Sequence, residues 1–230
     1  MIDKKYQKYY RRVLKHKCVS FKLKDPTKEE KTLRILFENM REISILLSNL
    51  RDSKKYVWMN PSKSKYSKKN IPMARYLNYH LHSYLNNLYI LEERIKSFLK
   101  KIKRATNNSQ LKDSISKFEI NIIEILKETR NIRNNHVHQA RYIDEDISRL
   151  ESFEDYLKTD FNSIIISKKH ISMAYSKVKA EWLKYMKNNN DLIADLISKY
   201  FDFITTCIID EDGSFKILLK KYSYENSRKY

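Results

Sequence analysis

Glycine is almost missing from this sequence: Gly213 is the only one in 230 residues, where average usage of roughly 7% would supply about 16. Sites that need a glycine's backbone freedom are thereby excluded, including the G-x-G-x-x-G and P-loop phosphate cradles and the G-x-S-x-G nucleophile elbow. Proline is scarce as well, at three residues, and so few turn-formers argue against a many-stranded sandwich or barrel. Long helices joined by polar loops are what remains. Cys18 and Cys207 are the two cysteines and stand nearly the whole chain apart. They support neither a disulfide framework nor a thiolate zinc site, and both read as free thiols. No apolar run approaches the roughly 18 residues that a membrane span requires. The opening Met-Ile-Asp-Lys-Lys-Tyr-Gln-Lys lacks the apolar centre of a signal peptide. A cytoplasmic protein with no membrane partner is expected.

What the sequence has in excess is positive charge. The formal net charge is +19, and hydrophobic residues at 41% are enough to bury a core. Residues 1–24 carry nine Lys/Arg against Asp3, and residues 51–70 carry seven against Asp52, so these two stretches hold +8 and +6 of the total. Aromatics are interleaved in both: Tyr6, Tyr9, Tyr10 and Phe21 in the first, Tyr56, Trp58 and Tyr66 in the second. Phosphates are attracted to Lys/Arg through counterion release, and exposed bases stack on aromatic faces. Arg11, Arg12, Trp58, Lys63, Lys65, Lys68 and Lys69 are therefore the candidate nucleic-acid-binding residues. A lysine-rich surface that serves only solubility is the plainer alternative, since net charge favours a polyanion without naming it.

The apolar spacing predicts an all-α fold, an antiparallel bundle of about five or more helices. Thr27 and Glu30, after Pro26, stand in capping-box relation, and Leu33, Leu36, Met40, Ile43, Leu47 and Leu50 then draw one helical stripe over 27–51. Residues 52–70 read as a Lys/Ser-rich linker. Beyond Pro72, which suits a first turn, Leu77, Leu81, Tyr84, Leu88, Leu91, Ile95, Phe98 and Ile102 keep a heptad rhythm. That is a helix over 72–104, about 45 Å long at roughly 1.5 Å per residue. A third seam, Leu111, Ile115, Phe118, Ile122 and Ile125, follows Thr106-Asn107-Asn108-Ser109 and runs on toward Ile132. Helices over 166–187 and 190–203 follow, the first with Ala174, Val178, Trp182 and Tyr185 on one face, the second opened by the Asn188–Asp191 cap region. Near the end, 204–209 and 215–219 flank Asp212-Gly213 and suggest a small hairpin. The expected organisation is a basic N-terminal segment (1–26), a helical bundle (27–203) and a C-terminal extension (204–230).

Chemistry concentrates in Arg130-Asn131-Ile132-Arg133-Asn134-Asn135-His136-Val137-His138, which holds two of the six histidines. Bare Arg/His spacings of this kind also occur at Arg11 with His16 and at Arg75 with His80 or His82. The stretch at 130–138 differs in having an Asn after each Arg and in closing an amphipathic helix. It resembles the R-x(4–6)-H signature of the HEPN superfamily, all-helical proteins that include metal-independent ribonucleases of toxin, antiviral and RNA-processing systems. Arg133 to His138 fits as R-N-x-x-x-H, and the resemblance covers mainly residues 72–160, where a long helix followed by a second that runs into the motif is similar to the family's core. It implies an RNA substrate, no cofactor, a toxin or phage-defence role, and an antitoxin or regulatory protein as a further partner. It also implies a homodimer. Arg133 and His138 would lie about 140° apart on an unbroken helix, and in the family two motifs face each other across a two-fold cleft.

On that resemblance His138 is the acid/base for attack by the RNA's own 2′-OH. Arg133 stabilises charge on the phosphorane oxygens, and Arg130, Asn134 and His136 support them. A solvated helix end, where cations suit the dipole, is the alternative account of the same residues. The pairs His80-x-His82 and His136-x-His138 diverge by about 200° on a helix and cannot chelate one ion, so no metal site is expected. Asp144, Glu145 and Asp146 precede Ile147, Leu150 and Phe153 and read as first-turn acids. A non-catalytic nucleic-acid-binding bundle, and a helical interaction protein that uses its heptad seams for assembly, are the other two function classes this sequence admits.

Overall fold

A computed structural model describes residues 26–59, 72–127, 131, 145–156 and 168–220. These form five α-helices: α1 (Lys28–Trp58), α2 (Met73–Ala105), α3 (Ser109–Ile125), α4 (Glu145–Tyr156) and α5 (Lys168–Ile208). The fold is all-α, and no strand occurs among the described residues. None of the described helices is long and apolar enough to cross a membrane. The chain divides into two compact units. One is drawn from residues 1–45, 91–125 and 194–230, the other from 46–90 and 126–193, and α1, α2 and α5 contribute to both.

The helix starts follow local chemistry. Thr27 and Glu30 close a reciprocal capping box, with Thr27 N donating to Glu30 Oε2 at 2.7 Å and Glu30 N to Thr27 Oγ1 at 3.1 Å. Together they satisfy two amides that the first turn leaves without a helical partner. Pro72 stands just before α2, where its carbonyl accepts from Tyr76 N at 3.0 Å. Asn108 caps α3 by accepting from Leu111 N at 3.1 Å.

The six stripe positions of α1 and all eight seam positions of α2 are buried. At about 25 cal/mol per Å² of apolar surface, this repeat is the main force that holds the helices together. In α3 the seam changes character at its end. Ile115 and Ile122 are buried, but Ile125 is exposed and Leu126, in a turn, takes the buried place.

Three expectations are corrected. Residues 52–58 are helical rather than linker, because Ser53 and Val57 continue the buried stripe from Leu50 despite the Lys/Ser-rich composition. The helices expected at 166–187 and 190–203 are one 41-residue helix. Asn190 does not start a helix: its Oδ1 accepts from Tyr84 Oη at 3.1 Å, while Met186, Ile193 and Ile197 carry the buried stripe across the break. The hairpin is reduced to its turn. Residues 204–208 belong to α5, and a single antiparallel bridge, Ile209 with Phe215, encloses Gly213 at φ 92°, a left-handed conformation that glycine adopts without steric cost.

In the first unit Lys103 Nζ donates to Ser116 Oγ at 2.7 Å, as α3 folds back along α2, and Phe118 stacks on Phe203 at 4.4 Å. In the second unit Ala74–Glu154 and Asn78–Glu151 are paired in crossed order, so α4 runs against α2. Tyr76 with Tyr175 and Tyr84 with Asn190 advance together, so α2 and α5 run in the same direction there.

Candidate nucleic-acid interface

The second unit gathers the polar and aromatic residues with chemical potential. Its foundation is the C-terminus of α1, whose last carbonyls have no helical donor. Met59 N adds a last i→i−4 bond to Lys55 O at 2.9 Å, and two side chains from other helices reach the rest: Tyr76 Oη donates to Tyr56 O at 3.0 Å, and Lys179 Nζ to Trp58 O at 2.6 Å and Met59 O at 3.4 Å. Lys179 also lies 5.9 Å over the Tyr175 ring, and burial pushes its ammonium pKa down.

Above this cap sits an aromatic cluster centred on His80. Tyr56 stacks on the imidazole at 5.1 Å, while Tyr76 and Tyr79 meet it edge-on at 4.4 and 5.2 Å. Burial lowers the His80 pKa below 6.5, so the ring is neutral at pH 7. The Tyr175 hydroxyl is buried with no hydrogen-bond partner among the described residues. Burial foremost, then Tyr76 and Glu154, pushes its pKa up to about 12. The outer rings face solvent: Tyr56 is 46% exposed, Trp58 69% and Tyr79 70%. Large aromatics left in water beside lysines and arginines are the composition of a stacking surface for nucleic-acid bases.

Next to the cluster a cleft of about 380 Å³ opens between the first turns of α2 and the last turns of α4. From α2 it is lined by Arg75, Asn78, Tyr79 and His82, spaced to share one helical face, and from α4 by Glu151, Glu154 and Asp155. Glu154 accepts from Ala74 N with both oxygens, at 3.2 and 3.3 Å, a carboxylate placed where the α2 dipole favours negative charge. Asn78 Nδ2 donates to Glu151 Oε1 at 3.2 Å. Tyr79 belongs to both features, touching His80 on one side and lining the cleft on the other.

Of the residues singled out from sequence, Trp58 is placed here, exposed at the end of α1. Arg130, Arg133, Asn134, His136 and His138 lie outside the described residues, as do Arg11, Arg12, Lys63, Lys65, Lys68 and Lys69. His80 and His82 enter different surroundings, the aromatic cluster and the cleft, as two residues about 200° apart on a helix must. Glu145 and Asp146 occupy the first turn of α4, and Ile147 and Leu150 behind them are buried. The cleft is the feature sequence reading missed. Its signal was present as polar residues at i, i+3, i+4 and i+7 in 75–82 and at i, i+3 and i+4 in 151–155. The apolar seam on the same helix masked it. Comparison of the chain with protein-family models, with curated proteins and with solved structures gave no match.

Proposed function

We propose that this protein binds single-stranded RNA and cleaves it without a metal ion, in the manner of the HEPN ribonucleases that its Arg133–His138 motif resembles. The observation that carries the RNA-binding part is the solvent-facing set of Tyr56, Trp58 and Tyr79 on a chain of net charge +19. Bases stack on such rings, and surrounding Lys/Arg neutralise phosphates. The cleavage part rests on the R-N-x-x-x-H spacing. His138 takes the 2′-OH proton, the 2′-oxygen bonds to phosphorus, and the P–O5′ bond breaks as the leaving oxygen is protonated. Arg133 offsets the charge that builds on the phosphorane oxygens, with Arg130, Asn134 and His136 in support. Two copies of the chain, related by a two-fold axis, bring two such motifs to one phosphodiester.

The test is direct. Purified protein in EDTA should cut RNA and leave 2′,3′-cyclic phosphate and 5′-OH ends. His138→Ala should keep its circular dichroism spectrum and lose cleavage by on the order of 10²–10⁴-fold. Full activity in that variant would refute the assignment of His138. Because the placed aromatics ask nothing of residues 130–138, a second reading stands beside the first: a non-catalytic RNA-binding bundle. Salt-steep RNA binding by a wild-type protein that never cuts would favour it.

A further inference from the structure

The cleft between α2 and α4 has the wrong charge for a phosphate site. Three carboxylates, Glu151, Glu154 and Asp155, line it against Arg75, in a chain whose excess is strongly cationic. Phosphate is repelled from such a lining, whereas a group that presents clustered N–H donors is drawn in. The wall shared with the aromatic cluster is Tyr79, whose ring is 70% exposed, so a flat ligand can stack on it. A cavity of about 380 Å³ stands at the small end of the roughly 300–1,000 Å³ range of ligand sites. That size suits one nucleobase.

From these features we infer that the cleft is a guanine-recognition pocket, in which a base extruded from single-stranded RNA stacks on Tyr79 and is read by Glu151. The inference rests on the RNA-binding reading above and deepens it to a substrate preference. Guanine alone among the four bases presents two adjacent donors, N1–H and N2–H, on its Watson–Crick edge, and a single carboxylate accepts both. Adenine and cytosine place a ring nitrogen acceptor beside their amino donor, and uracil flanks one donor with two carbonyls. Each of these sets a lone pair against the carboxylate. Glu151 is held for this role by the Asn78 amide at 3.2 Å, a pre-oriented acceptor. Arg75, exposed at the rim one turn before Tyr79, is the cation for the nucleotide's own phosphate.

The experiment uses the full chain and four labelled 2′-O-methyl heptamers, all-U and all-U with a central G, A or C. These cannot be cut by their own 2′-oxygens. Fluorescence anisotropy should give the G heptamer an affinity about tenfold or more above the other three, the discrimination expected of one good bidentate contact. Glu151→Gln should bring the four within about twofold of one another. Tyr79→Ala, at a position 70% exposed and with its circular dichroism spectrum checked against wild type, should weaken the G heptamer most.

Four heptamers bound equally by the wild type, or a G preference that survives Glu151→Gln, would overturn the pocket and leave RNA binding standing. Guanosine monophosphate is the second probe. Competition against the G heptamer supports base recognition, whereas nucleotide binding with no heptamer bound overturns RNA as the source. Failure of every probe to bind would remove the RNA-binding reading together with the pocket.

Discussion

Individual polar atoms inside this protein are settled by partners far along the chain. Tyr200 Oη, fully buried, donates to Asn39 Oδ1 at 2.7 Å. Thr32 Oγ1 donates to Lys28 O and accepts from Leu219 N, at 2.9 Å each, which ties the end of the described chain to α1. Burial pushes the Cys207 thiol up to about 11, which makes it a packing residue rather than a nucleophile. His80 is the residue whose environment has a measurable pH consequence. Its folded pKa is depressed below 6.5 by burial, so the unfolded chain takes up the proton first as pH falls. Stability is therefore unaffected above pH 6.5 and declines below it, until the folded form also protonates. Melting temperatures at pH 7.5 and pH 5.5 should show a larger acid loss for wild type than for His80→Phe; an equal loss would mean that the ring titrates as if in water. None of this is readable from a lone histidine in sequence, since the three tyrosines around it come from two helices.

At the scale of the element, legibility follows how local the cause is. The capping box of α1 was visible because Thr27 and Glu30 sit three residues apart, and both bonds form as spaced. Thr27→Ala should cost about 1 kcal/mol, read as a drop in denaturant midpoint with an unchanged slope; a drop under a few tenths would show that water replaces the cap. The buried seams of α1 and α2 were equally plain, because period 3.6 is a property of the segment itself. The end of α1 and the middle of α5 were not. Lys179, 121 residues away, closes the first, and the Tyr84–Asn190 bond carries the second through an Asn run that favours caps and turns in isolation. Tertiary contact overrode local preference in both places.

For the whole molecule, net charge matters most after packing. A net +19 repels itself in the compact state, and salt weakens that repulsion as the screening length shrinks from roughly 30 Å at 0.01 M to 3 Å at 1 M. Melting temperature should therefore rise between about 0.01 M and 0.5 M sodium chloride; a fall would show that attractive ion pairs outweigh the net repulsion. The same charge, known from composition, points to a polyanion, and the Arg/His spacing at 130–138 is likewise a sequence observation. By itself the chain determined its helical class, the places where α1, α2 and α3 begin and the faces that α1 and α2 bury, because capping and hydrophobic repeat act within a few residues. Only tertiary structure decided that Asn78 meets Glu151, 73 residues on, that Tyr79 joins an aromatic cluster to an acidic cleft, and that α5 is one continuous helix. Those outcomes depend on which distant segments pack together, and no short-range pattern encodes that.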